Sequence, residues 1–101
     1  MEKEMMMVMI VYNEAVDTEV MEALSHCQVK YYTKIKDVFG KGEISGTHLG
    51  TDIWPGKNSI MYAACTLQES SKLLDCVRAL RNSIGKEGIK AFSWKLQDMT
   101  V

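Results

Sequence analysis

The chain has 101 residues, 47 % apolar and 25 % charged, with a formal net charge of −1. That is the length of one domain with a modest core, so residues 1–101 are read as a single unit, and a domain this small gains from oligomerisation. The near-neutral balance excludes bulk attraction to nucleic acid or anionic lipid, and no stretch reaches the ~18 apolar residues of a membrane span.

The first apolar run is Met5–Tyr12, MMMVMIVY. It is too short for a helix of ordinary length and suits a strand buried on both faces. The mixed start Met1-Glu2-Lys3-Glu4 and the stop at Asn13-Glu14 do not match a secretory signal. Next, Val16, Val20, Ala23, Leu24 and Cys27 fall on one helical face. Asp17 is placed to cap that helix and Glu19 to meet its dipole, while His26-Cys27 closes it.

Val29–Val38 then alternates with period two. Val29, Tyr31, Thr33 and Ile35 share one side, and Lys30, Tyr32, Lys34 and Lys36 the other. This is a one-sided strand whose lysines are of the kind that protect a sheet edge. A long connection follows, roughly Phe39 to Asn58, rich in glycine and carrying the chain's one proline. Connections beyond about 12–15 residues are uncommon in compact domains unless they work or are disordered. Trp54-Pro55-Gly56-Lys57 suits a type II turn back into the body, with Trp54 as its anchor. The segment reads as an arm that a partner or ligand orders, with Glu43, His48, Asp52 and Trp54 on its surface.

Ser59–Leu67, SIMYAACTL, is a strand apolar on both sides. Thr66 and Glu69 have capping-box spacing for the next helix. That helix buries Leu73, Val77, Leu80 and Ile84, widened by Leu74, and stops at Gly85. Ile89–Leu96 is the last strand. The order β-α-β-β-α-β, with right-handed crossovers, gives an α+β ferredoxin-like domain: a four-stranded antiparallel sheet with both helices on one face. The first and third strands are then central, and they are the two that are apolar on both sides. Two helices cover only one sheet face, so the other face is expected to be buried by further copies of the chain.

Chemistry-bearing patterns are few. Gly85-Lys86-Glu87-Gly88-Ile89-Lys90 combines glycines, which let backbone N–H groups approach an anion, with two lysines, but it is not a P-loop. His48 and Asp52, four apart, are residue types that bind divalent metals, yet one pair is short of a site. No nucleophile has a local histidine base, so no enzyme is expected. Acylphosphatases and RNA-binding RRM domains share the topology, but Asn13-Glu14-Ala15-Val16 lacks the phosphate loop of the former. The third strand offers only Tyr62 toward the aromatic motif of the latter. The three cysteines, Cys27, Cys65 and Cys76, are odd in number and widely spaced without a C-x-x-C; they read as reduced, buried thiols of a cytoplasmic protein.

Several segments together resemble the PII signal-transduction proteins across nearly the whole chain. Asp17–Leu24 is similar to their D-E-V-x-E-A-L first helix, and Val38-Phe39-Gly40-Lys41-Gly42 to the end of their second strand. Gly85–Phe92 is similar to their B-loop and fourth strand, and Lys95–Met99 to the V-E-E-V turn beyond. The resemblance implies a homotrimer with sheets facing inward, and a signalling role in which residues 39–58 are a T-loop that engages a protein partner, whether a metabolic enzyme, a regulator or a membrane transporter. It also implies an intersubunit cleft for ATP or ADP, contacted by Gly40, Lys41, Gly85, Lys86, Gly88 and Lys90. The sequence departs from the family pattern in three places. The loop is short and has no tyrosine to uridylylate, Lys41-Gly42 replaces the usual glutamine, and no basic R-x-R strand is read after Lys95–Met99. The second reading is a divalent-metal-binding trimer resembling CutA, with His48 and Asp52 as ligands.

Overall fold

The structure, a computed structural model, describes residues 4–39, 57–85 and 88–100. In chain order these form β1 (Met5–Asn13), a short 3-10 turn (Glu14–Val16), α1 (Asp17–His26), β2 (Thr33–Phe39), β3 (Lys57–Thr66), α2 (Leu67–Ile84) and β4 (Ile89–Lys95). The sheet runs β2-β3-β1-β4 with every neighbour antiparallel. This is the expected ferredoxin-like arrangement, with β1 and β3 central.

Alternation along the central strands sorts their side chains between two faces. Val8, Ile10 and Tyr12 of β1, Met61 and Ala63 of β3, and Ile89 of β4 are buried. Val16, Val20 and Leu24 close over them, with Leu73, Cys76, Val77 and Leu80 of α2. The opposite face is built from the intervening residues. Register sets Phe92, Met9, Tyr62 and Thr33 in one row across the sheet, and Lys90, Val11, Ile60 and Ile35 in the next. Met7 stands between Trp94 and Ala64. Both helices lie on the first face, so among the described residues the second remains open, with Trp94, Ile35 and Phe92 between 41 and 44 % exposed.

α2 opens with the expected capping box. The Glu69 N–H donates to Thr66 Oγ1 at 3.2 Å, and the Thr66 N–H donates to Glu69 Oε1 at 2.8 Å. The start of α1 differs from expectation. Asn13 Oδ1 accepts from the Ala15 N–H at 2.9 Å and starts the 3-10 turn, while Asp17 already lies inside the helix and makes no cap. Its carboxylate is engaged elsewhere, as described below.

β2 is shorter at its start than the period-two pattern implied. α1 ends in a Schellman motif: the Gln28 N–H donates to the Ser25 carbonyl and the Val29 N–H to the Leu24 carbonyl, with Gln28 at φ 63°. That turn and the irregular residues after it occupy 27–32, so pairing begins only at Thr33. The alternation is also broken within the strand. Between the pairs Ile35–Ile60 and Val38–Asn58, two residues of β2 oppose one of β3. This is a β-bulge, and Asp37 takes it up at φ 59°. At the far end the ladder continues to Phe39–Lys57, further than expected, so the connection between the two strands is 40–56.

The cysteines require a correction. Cys27, at the C-cap of α1, and Cys76, in the middle of α2, are joined in a disulfide across the two helices, with Cα atoms 6.6 Å apart. Only Cys65 is a free thiol. The 49-residue separation hid the pairing: both cysteines lie on the inward sides of their helices, and only the packing of α1 beside α2 brings them together. Burial and the nearby Glu69 carboxylate push the Cys65 thiol pKa up.

Candidate functional site

The turn from α2 into β4 is built by its glycines and by a hydrogen bond to β1. Gly85 follows the last helical residue at φ +100°, a conformation that side-chain-bearing residues rarely adopt, and its N–H donates to the Arg81 carbonyl. The Gly88 N–H returns to the Gly85 carbonyl at 3.3 Å. The Gly88 carbonyl accepts from the Asn13 N–H at 2.9 Å, which ties the turn to the end of β1. Gly88 is buried, but a Cβ there would meet its nearest neighbours at ordinary contact distance, 3.7–3.8 Å. Arg81 Nη1 donates to the Ile89 carbonyl at 3.1 Å, strapping the last turn of α2 to the first residue of β4.

The sheet places this turn beside the strand ends that lead into 40–56. Gly88 bonds to Asn13, Asn13 pairs with Asn58, and Asn58 pairs with Val38. The glycine turn and the Phe39–Lys57 pair therefore occupy the same end of the sheet, with Lys57 two strand spacings from the turn and Phe39 three, or about 14 Å. Lys57 and Lys90, both exposed, add positive charge at that end. Lys90 lies on the open face opposite Val11, with Nζ 5.7 Å from the centroid of the Phe92 ring. With the Gly85 and Gly88 N–H groups both bonded to carbonyls within the turn, the donors that the described residues offer an anion at this end are the two lysine ammonium groups.

Of the nucleotide candidates, Gly85 and Gly88 lie in the turn between α2 and β4, and Lys90 is the second residue of β4, on the open face. Gly40, Lys41 and Lys86 lie outside the described residues, as do Glu43, His48, Asp52 and Trp54 of the partner segment. Among the described residues no three His, Cys, Asp or Glu side chains converge as metal ligands, so nothing there supports the CutA-like alternative. The sequence marks Lys57 only as the last residue of the Trp54–Lys57 turn and gives no sign of Arg81. Arg81 is one of several polar residues on α2, and only the register shows that its reach ends at Ile89.

A second feature secures β2 at the other side of the sheet. Tyr12 is 1 % exposed, and its hydroxyl donates to Asp17 Oδ1 at 2.6 Å. Lys34 Nζ reaches the same oxygen at 2.6 Å and lies 5.8 Å from the centroid of the Tyr12 ring. β1, α1 and β2 are thereby joined at one carboxylate. Lys34, read from sequence as a solvent-facing edge lysine, instead turns toward the helix layer. The Lys34 ammonium and the Tyr12 hydroxyl hold the Asp17 carboxyl below its usual pKa. Burial raises the Tyr12 pKa, and the hydrogen bond to Asp17 raises that of Lys34. Between α2 and β4 there is also a half-open cleft of about 230 Å³ lined by Leu74, Val77, Arg78, Arg81 and Ala91.

The sequence matches no family model, and no curated protein matches it significantly by sequence. Solved structures do match the fold. The apo form of CPII from Thiomonas intermedia, a nitrogen regulatory PII-like protein, superposes with a TM-score of 0.65 at 15 % identity, covering 92 % of this chain and 89 % of that one. A putative PII-like signalling protein from Thermus thermophilus gives 0.63 at 16 % identity, with 93 and 87 % covered. The ATP complex of GlnK from B. subtilis gives 0.64 at 12 % identity, with 95 and 84 % covered. CPII has also been solved bound to ADP and bicarbonate. The chain has the PII-like fold. No helix among the described residues is long and apolar enough to cross a membrane.

Proposed function

From that fold we propose that the chain is the subunit of a cytoplasmic, non-enzymatic PII-like signalling trimer. An adenine nucleotide binds in the cleft between subunits, and residues 40–56 engage a protein partner. The observation that carries the reading is the open sheet face. Met7, Met9, Val11, Ile60, Tyr62, Phe92 and Trp94 form one apolar surface that neither helix covers, half-buried at its centre and exposed at Phe92 and Trp94. Exposed apolar surface on this scale marks an interface. Three copies facing inward would bury it.

The glycine turn supports the ligand half of the reading. Gly85 and Gly88 shape a backbone that can approach a phosphate, and Lys86 and Lys90 supply charge. Gly40 and Lys41, next in sequence after Phe39, would add to the contact. CPII and GlnK are fold neighbours that bind ADP and ATP respectively. For the ligand to act as a signal it must bind one state of the 40–56 segment more tightly than another. Glu43, His48, Asp52 and Trp54 would form the surface the partner reads, and an enzyme, a regulator or a transporter would serve equally as that partner.

Light scattering at micromolar concentration tests the assembly, and titration calorimetry with ATP, ADP and AMP tests the ligand. The expected results are a mass of three chains and a heat of binding that weakens several-fold in Lys90→Ala. A single-chain mass removes the trimer. No heat with any of the three nucleotides removes the ligand.

A further inference from the structure

The Cys27–Cys76 bond lies apart from the glycine turn, and three observations about its setting bear on its use. The helices it joins each have core contacts of their own: Val20 and Leu24 of α1 and Leu73, Val77 and Leu80 of α2 are all buried. One of its ends is reachable, since Cys27 is only half-buried while Cys76 is buried. Finally, Cys27 stands at a corner where the backbone hydrogen bonds from Cys27, Gln28 and Val29 all return to α1 itself. The Schellman turn at Gln28 follows at once, and the chain to Thr33 has no regular structure, with Tyr31 84 % exposed. Beyond it β2 is an edge strand with β3 as its one partner.

We propose that Cys27–Cys76 is a reversible thiol–disulfide switch that sets how firmly the corner between α1 and β2 is held to α2. A dithiol reductant of the thioredoxin class is the co-reactant. One of its thiolates attacks the Cys27 sulfur, the S–S bond breaks, and Cys76 leaves as a thiolate that takes up a proton. The second thiol of the reductant, as thiolate, attacks the mixed disulfide and releases Cys27, which is protonated in turn. Two electrons and two protons pass to the protein, and the reductant becomes a disulfide. Re-oxidation runs the same exchange backward with a disulfide oxidant. Cys65 stays out of the exchange, because burial disfavours its thiolate.

The switch rests on the proposed function in one respect. A cytoplasmic compartment keeps thiols reduced, so a disulfide found there is of the transient or sensing kind. In that reading the corner leads through β2 to the base of the partner segment, and loosening it alters how that base is presented.

The test uses the whole chain equilibrated in glutathione buffers from fully oxidised to fully reduced. Free thiols are trapped by alkylation and counted by mass, with hydrogen exchange followed in both end states. The bond is expected to pass from formed to open within the series. In the reduced form amide exchange over 27–39 should rise about tenfold or more, while the β1–β3 ladder stays protected. The Cys27→Ser, Cys76→Ser double variant should reproduce the reduced pattern in every buffer. A bond that persists in the most reducing buffer is a fixed staple and overturns the proposal. So do thiols that never pair, or a bond that opens with no change over 27–39. None of these results depends on nucleotide or trimer, so failure here is separable from failure of the signalling role.

Discussion

Replacing Asp17 by alanine removes two charge-assisted hydrogen bonds at once. The Tyr12 hydroxyl, in a residue 1 % exposed, loses its acceptor where little water can replace it. Hydrogen bonds to a charged group contribute about 1.5–3 kcal/mol net. The Lys34 pair is partly solvated, with side chains 20 and 38 % exposed, and after screening contributes about 0.5–1 kcal/mol. The expected loss is about 2–3 kcal/mol, which for a domain of this size lowers Tm by about 10 °C or more. Urea unfolding at pH 7 and fixed protein concentration measures it as a lower midpoint at unchanged slope. Tyr12→Phe alone should cost less, and the double-mutant cycle should show a coupling of about 1–2 kcal/mol. A loss below about 0.5 kcal/mol, or additive single variants, would refute the idea that one carboxylate fastens β1, α1 and β2 together.

The same cluster dictates a pH dependence. Asp17 is held below its usual pKa, so its contribution is present above about pH 4 and is lost as pH falls through the depressed value. Tyr12 and Lys34 are both raised, so theirs is present below about pH 10 and is lost as pH rises through the raised values; Asp17→Ala should flatten the acid limb in a pH series of urea midpoints. Gln28→Gly should stabilise by about 0.5–1 kcal/mol, since φ 63° at the Schellman position costs glutamine what glycine does not lose; no gain in thermal midpoint would contradict the turn. Gly85→Ala should cost about 1–3 kcal/mol although no atom lies within 4 Å of the added Cβ, because the strain is in the backbone alone; a neutral result would argue against φ +100° there. Met9→Glu, in the middle of the open face, should leave the far-ultraviolet spectrum intact and drop the light-scattering mass to one chain; an unchanged mass would place the interface elsewhere.

The element order, the two central strands and the helix stripes were all legible in the 101 residues. Periodicity reports which face of an element avoids water, and that is a local property. The capping box at Thr66 and the stop at Gly85 were legible for the same reason, since each signal lies within one turn of the backbone it satisfies. Tertiary packing decided what depends on separated residues. Lys34 reads as an edge lysine until α1 brings Asp17 to it. Cys27 and Cys76 read as isolated thiols until two helices lie side by side. Arg81 finds its acceptor only once β4 is in place, and the bulge at Lys36–Asp37 appears only against Ser59 on β3. Local pattern follows from solvent avoidance along one chain segment, whereas partners across the fold follow from which segments meet, and no spacing in the sequence encodes that distance.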